Sequence, residues 1–437
     1  MSRFALRPIG LALLLAGCAT GVAQEATPPA APAATTITTI VSPPPTTTTT
    51  TTLPPTTTTT TVPVFDLAGS VLTTDGVPLA DAFVRVGDAE AVTGVDGSFR
   101  LTGVPAGTVT ISRPAWHGIE VPWAGEARVD VTLQPRIVRA LRVSKYVAND
   151  DELFAGLLDL AERTIINALV FDTKDESGYV LYETGVEAAT LLDSVRPMYD
   201  VRAALAAAKE RGLYTITRVV SFEDQVWVKA DPAAKLAGRW IDARDPANWE
   251  YPLALAVEAC ELGFDEIQFD YVRFPAGSTA AAAQATSPTT QEDRLGAIQG
   301  FLAEGKARLH PMGCALSADI FGIVLSAPND QGIGQRPEEV SEVVDAVSPM
   351  IYPSHYSDGW LGFEDPNDHP GPVTADALDD GAPRLVEPSL MRPWLQAFWW
   401  TNAQIRASID EAEARGFGWI LWNAGGSYSA SALPGNG

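Results

Sequence analysis

The residues of this chain best suited to chemistry are aspartates that close short apolar runs. Gly263 to Pro275 read GFDEIQFDYVRFP. Alternation along a strand sends Ile267 and Phe269 to one side and Glu266, Gln268 and Asp270 to the other. Asp270 is thereby expected at the strand's C-terminal end, pointing inward, with Arg273 and Pro275 leaving in a stiff loop. Other apolar runs end in similar groups: Asp172, Lys174 and Asp175 after one, Arg218 on the next, Asp319 after a third, Tyr352 and His355 after a fourth, Asn423 after the last. Several such ends gathered at one rim suit the cleavage of a bond that needs an acid and a base.

Glycoside hydrolysis is the reaction these groups fit. One carboxyl group protonates the leaving oxygen, and a second acts as nucleophile or activates water. Asp270 and Asp319, on neighbouring strands, are the expected pair, and Asp172 is the third catalytic candidate. Arg273 or Arg218 beside one of them would keep that one ionised and leave the other freer to hold a proton. Lys174, Asp175, Arg218, Arg273, Tyr352, His355 and Asn423 are expected to bind substrate, although Asp172, Lys174 and Asp175 also read as an ion-pair cluster closing the mouth. Trp227, Trp360 and Trp422 offer indole faces on which the apolar face of a pyranose can stack. Trp399 and Trp419, inside apolar runs, read as core.

A set of strand ends needs a frame. Apolar runs occur at Ala140 to Val147, Ala168 to Thr173, Tyr214 to Val220, Glu266 to Tyr271, Ala315 to Ile320, Ala346 to Ile351, Leu395 to Trp400 and Trp419 to Trp422. Helical spacing lies between most of them: Leu153, Leu157, Leu160 and Ala161 share a face, as do Val201, Leu205 and Ala208, and Asn149 and Asp150 offer an N-cap. The alternation calls for an α/β fold, a (β/α)8 TIM barrel over residues 135–437, with a doubly wound open sheet as runner-up. The connection from Ser354 to Met391 looks poor in helix, and Asp376 to Asp380 hardly an element.

Residues 64–134 differ in character. Short alternating runs are broken by turns at Asp75-Gly76, Asp96-Gly97 and Pro105-Ala106-Gly107, which predicts a small antiparallel sandwich. The segments AGSVLTTDGVPLADAFVRVG and TGVDGSFRLTGVPAGTVTIS resemble the carboxypeptidase regulatory-like domain, which implies a prealbumin-like sandwich serving as a spacer or a sugar binder. Residues 19–63 are almost entirely Thr, Pro and Ala. Such a stretch buries no core and reads as a disordered, extended linker. Residues 1–18 carry Arg3 and Arg7, an apolar run from Ile9 to Ala16 and then Leu15-Ala16-Gly17-Cys18, an export signal whose ending resembles a bacterial lipobox. Cleavage before Cys18 and lipidation of its thiol would give an exported membrane lipoprotein, held by two or more acyl chains.

With 30 basic against 54 acidic residues the formal charge is −24, which argues against nucleic acid and for a neutral or cationic partner. Cys260 and Cys314 lie in apolar contexts and are expected to be buried free thiols. No cofactor is called for, and a monomer is expected. His117, His310, His355 and His369 show no metal-ligand spacing, although a magnesium or calcium site made of Asp172, Asp270 and Asp319 stays open. A non-catalytic, envelope-anchored carbohydrate-binding barrel is the alternative from another class.

Together with GFDEIQFDYVRFP, the segments NALVFDTKDESG, SADIFGIVLSAPNDQGIGQ, VSPMIYPSHY, RPWLQAFWW and GWILWNAGGSYS resemble a bacterial family of TIM-barrel glycoside hydrolases long catalogued as a domain of unknown function. The resemblance runs from about Pro135 to Tyr428. It implies a polysaccharide-active barrel with Asp172, Asp270 and Asp319 as functional positions.

Overall fold

The computed structural model describes residues 62–435. The export signal, Cys18 and nearly all of the Thr/Pro stretch lie outside the described residues. Among the described residues no helix is long and apolar enough to cross a membrane.

Strand β1 (Arg139–Arg142) is followed by β2 (Ala168–Lys174), β3 (Tyr214–Val220), β4 (Glu266–Asp270), β5 (Ala315–Phe321), β6 (Ala346–Ile351), β7 (Trp394–Gln396) and β8 (Trp419–Trp422). Each pairs in parallel with the next, and β8 pairs with β1, so the sheet closes on itself. The open doubly wound sheet is thereby excluded. One helix before each next strand packs on the sheet: α1 (Asp151–Glu162), α2 (Val201–Glu210), α3 (Glu250–Leu262), α4 (Gln291–Leu309), α5 (Pro337–Ser341), α6 (Pro370–Gly381) and α7 (Asn402–Ala414), with shorter or additional helices in the loops. The result is a (β/α)8 barrel.

Strand β4 shows how the sequence builds it. Ile267 and Phe269 are fully buried among the apolar residues of the helix layer, each burial worth about 1.5–3 kcal/mol. The opposite side fills the barrel interior with polar groups that must be partnered there. Glu266 Oε1 accepts from Arg392 Nη1 and Ser317 Oγ, both at 2.5 Å. One step up, Gln268 Nε2 donates to Ser348 Oγ at 3.1 Å. At the top stands Asp270.

Several expectations need correction. The first strand stops at Arg142, because Ser144 caps a short helix, Lys145–Ala148. Asp150 caps α1 as expected, but Leu153 is 54% exposed and Leu158 takes the inward place beside Leu157, Leu160 and Ala161. The seventh strand stops at Gln396, and Trp399 beyond it has φ of 61° and is 84% exposed, so it is not core. Asp376 to Asp380 belong to α6, which Pro370 starts and which Val373, Ala377 and Leu378 anchor to the barrel. Cys260 and Cys314 form a disulfide rather than free thiols. The end of α3 and the start of β5 both flank β4, and this brings two cysteines 54 positions apart to a Cα separation of 6.1 Å.

The N-terminal β region consists of two four-stranded sheets sharing one apolar core, with Leu67, Val71, Val84 and Ile111 inside. It is not purely antiparallel: Val64–Thr73 pairs in parallel with Arg128–Pro135. This sandwich meets the barrel's N-terminal face. There Arg113 Nη1 lies 3.2 Å from Asp345 Oδ1, just ahead of β6, and Asp345 Oδ2 meets His310 Nε2 at 2.7 Å and the Leu316 N–H at 2.9 Å. The rim that carries Asp270 is the opposite face.

Candidate active site

At the C-terminal rim the polar side chains are organised by one cation, Arg218, which β3 sends into the barrel. Its Nε and Nη2 both donate to Asp270 Oδ2, at 2.8 and 2.6 Å. Its Nη1 donates to Asp172 Oδ1 at 3.0 Å and to Glu176 Oε2 at 3.2 Å. Asp319 Oδ2 is 3.9 Å from Arg218 Nε. Arg142 Nη2 donates to the other oxygen of Asp172 at 2.5 Å, and both guanidinium groups lie over the Trp422 ring. The carboxylates raise the affinity of Arg218 for its proton far above the ordinary arginine value, although burial opposes this.

The two aspartates of the expected pair have unlike surroundings. Asp270 Oδ1 accepts from the Tyr271 N–H at 2.5 Å, and Tyr271 holds a left-handed φ of 49°. That conformation is uncommon for a bulky residue, and such strain gathers at functional sites. Asp319 Oδ1 accepts from Trp394 Nε1 at 2.7 Å, but its buried Oδ2 has no hydrogen-bond partner. Burial, reinforced by Asp270, raises the Asp319 carboxyl well above the ordinary aspartate value, and Arg218 and Trp394 only partly oppose this. Burial also raises Asp172, against the pull of Arg142 and Arg218.

A cavity of about 490 Å³ opens over this pair. Of the sites expected from sequence, Arg218, Asp270, Arg273, Asp319, Tyr352, His355, Trp360 and Trp422 line it. Its walls are largely aromatic, with Tyr356 and Trp360 5.2 Å apart and Tyr352 and His355 5.3 Å apart between ring centroids. Burial lowers the His355 pKa and raises that of Tyr352, so both stay neutral near pH 7.

The remaining expected residues lie elsewhere. Asp172 sits behind Arg218, outside the lining. Lys174 Nζ is buried, donating to the Val220 carbonyl and pairing with Asp224 at 2.8 Å. Asp175 binds Lys145 and Ser177 and shapes its loop. Trp227 packs edge-on against Tyr251 in the core. Asn423 donates to the Ala397 carbonyl and accepts from the Gly425 N–H, which fixes the turn after β8. Sequence reasoning missed Arg142, Glu176 and the Trp394 indole bond. Arg142 was detectable as an arginine closing an apolar strand, and Glu176 lies within the DTKDESG segment.

The point on which Asp172, Asp270 and Asp319 converge is occupied by the Arg218 guanidinium. Among the described residues no cluster of three or more His, Cys, Asp or Glu could hold a metal ion.

Fold and rim together define a barrel with paired carboxyl groups at the floor of an aromatic cavity. Residues 140–428 match a family described as "Putative glycosyl hydrolase domain". The chain belongs to that family. A hypothetical protein from Ruminiclostridium thermocellum ATCC 27405 is 33% identical, over 41% of this chain and 96% of its own, with a TM-score of 0.36. The glycoside hydrolase domain of PgaB (BpsB) from Bordetella bronchiseptica is 13% identical over 66% of this chain and 94% of its own, with a TM-score of 0.49. A chitinase from Chromobacterium violaceum ATCC 12472 is 14% identical over 68% of this chain and 96% of its own, with a TM-score of 0.44. No curated protein matches the chain.

Proposed function

We propose that the cavity hydrolyses glycosidic bonds of a polysaccharide, with Asp319 as proton donor and Asp270 as the carboxylate that attacks the sugar carbon. The observation that carries this reading is the contrast around Arg218. Asp270 takes two guanidinium hydrogen bonds on one oxygen, whereas Asp319 keeps a buried oxygen without a hydrogen bond and is biased toward its protonated form. Unlike environments let two carboxyl groups take opposite roles.

Asp319 would deliver its proton to the departing glycosidic oxygen while Asp270 bonds to the anomeric carbon. Asp319, now ionised, would then take a proton from the water that releases the sugar. The spacing supports this order. Both Oδ2 atoms lie within reach of Arg218 Nε, at 2.8 and 3.9 Å, so their separation cannot exceed the sum of those distances. That bound admits the roughly 5 Å spacing of a retaining enzyme.

The same proposal keeps the export signal and the lipid at Cys18, with the sandwich as a spacer. Its seat on the barrel's N-terminal face leaves the cavity unobstructed. Metabolic labelling with a fatty acid checks the anchor: a protein that takes up no label removes it.

The test is a screen of purified envelope polysaccharides and exopolysaccharides for reducing-end release. Asp270→Asn should abolish release from a responsive polymer while binding survives. Unchanged release would remove Asp270 from the mechanism. Binding with no release by the wild-type protein from any polymer would favour a carbohydrate-binding barrel.

A further inference from the structure

Six arginines of the described chain are buried: Arg113, Arg142, Arg218, Arg273, Arg294 and Arg392. Five have a carboxylate within 4 Å, respectively Asp345, Asp172, Asp270, Asp330 and Glu266 for Arg113, Arg142, Arg218, Arg294 and Arg392. Arg273 is the exception among the described residues, although the chain has 54 acidic side chains from which a partner could be drawn. A buried charge without a counter-ion is costly unless something else supplies one.

The geometry around Arg273 shows where that counter-charge would sit. The residue is 8% exposed and lines the cavity beside Asp270. Its guanidinium plane is covered by aromatic rings, with Trp240 at 4.4 Å and Phe321 at 4.3 Å from the central carbon to the ring centroids. Its Nη1 is tied to the Phe274 carbonyl at 2.9 Å. Its Nε is buried with no partner, and Nη2 makes no hydrogen bond among the described residues. With two rings close to its central carbon and Nη1 tethered, the guanidinium has one edge, Nε and Nη2, that carries no hydrogen bond among the described residues. That edge matches the two oxygens of a planar carboxylate. Burial lowers the proton affinity of Arg273, and Glu223 and Asp270 pull it back up. An arginine remains a cation at any working pH.

We propose that the cavity takes a glycan bearing a carboxylate, as in a uronic acid, and that the free edge of Arg273 holds that group. This rests on the hydrolase reading for its substrate class, but the binding site stands on its own geometry. It departs from the neutral or cationic partner expected from net charge: the molecule is acidic as a whole, while Arg273 in the wall of its cavity has no carboxylate within 4 Å among the described residues.

The experiment is a binding comparison on the whole protein. Glucuronic and galacturonic acids are titrated against their methyl esters, read by ligand-observed NMR and by the fluorescence of Trp240 and the tryptophans that line the cavity. An acid should bind about tenfold or more tightly than its ester, the scale of a charge-assisted bidentate contact. Arg273→Gln should remove the difference, and Arg273→Lys, which keeps the charge but loses the fork, should retain only part of it. Circular dichroism checks the fold of both variants; should Arg273→Gln not fold, the wild-type comparison and Arg273→Lys decide. Equal binding of acid and ester, no binding of either, survival of the preference in Arg273→Gln, or stronger binding of glucose 6-sulfate than of the acids would each overturn the proposal. A uronate polymer and its carboxyl-reduced form then separate the two claims. Preference for the acids without cleavage of any polymer removes the hydrolase reading alone, whereas cleavage that favours the reduced polymer removes the carboxylate site alone.

Discussion

Asp319 and Asp345 are each 1% exposed, yet their environments drive them in opposite directions. Asp345, at the barrel's N-terminal face, meets His310, Arg113 and a backbone N–H, and these outweigh burial and hold its carboxyl well below the ordinary range. Asp319, at the C-terminal rim, meets another carboxylate, and the shared arginine sits closer to that neighbour. Burial alone therefore sets no protonation state; the sign of the neighbours decides. The first arrangement fastens the sandwich to the barrel. The second opens into a cavity and leaves an oxygen unbonded, which suits proton transfer.

The comparison breaks first at the catalytic pair. Asp270→Asn and Asp319→Asn should each lower turnover roughly a thousandfold or more, within the usual range for loss of an acid or base, while circular dichroism stays unchanged. Asp345→Asn should do the reverse, costing about 3 kcal/mol in urea unfolding through the stranded Arg113 charge, with near-normal turnover per folded molecule. Reduction of the Cys260–Cys314 bond, which closes a 54-residue separation, should lower stability by up to about 4 kcal/mol, measured as the shift in urea midpoint.

Stability against pH sharpens it further. The folded pKa of Asp345 is depressed, so its contribution is complete above the unfolded value near 3.9 and is lost as pH falls through the folded value. Asp319 is raised, so its contribution declines as pH climbs from that unfolded value through the folded one. Asn at 345 should flatten the acid limb of the stability curve and Asn at 319 the limb above it. The smallest effect belongs to Trp394→Phe. It deletes the indole bond that favours ionised Asp319, so the alkaline limit of activity should move up.

Much of this frame was legible because strand alternation is a local property. Ile267, Phe269 and Asp270 stand where a period of two puts them, and Tyr214–Val220, Ala346–Ile351 and Trp419–Trp422 begin and end where their apolar runs do. What escaped was set by contacts distant in sequence. The disulfide needs α3 and β5 to flank one strand, and Trp227 is core because Tyr251 comes to meet it. Trp399 broke its run through a left-handed φ that composition does not announce. At the rim, the type and position of Arg218 were readable. That three aspartates would divide its nitrogens unequally was not, since it depends on where the guanidinium stops between β2, β4 and β5.

The central claim is that Asp319 keeps its proton where an ordinary aspartate has lost it. Side-chain carboxyl signals of ¹³C-aspartate-labelled protein, assigned by comparison with Asp319→Asn and followed over pH, measure this without any substrate. The account predicts a midpoint for Asp319 clearly above the ordinary aspartate value of about 3.9. A midpoint at or below that value would contradict it.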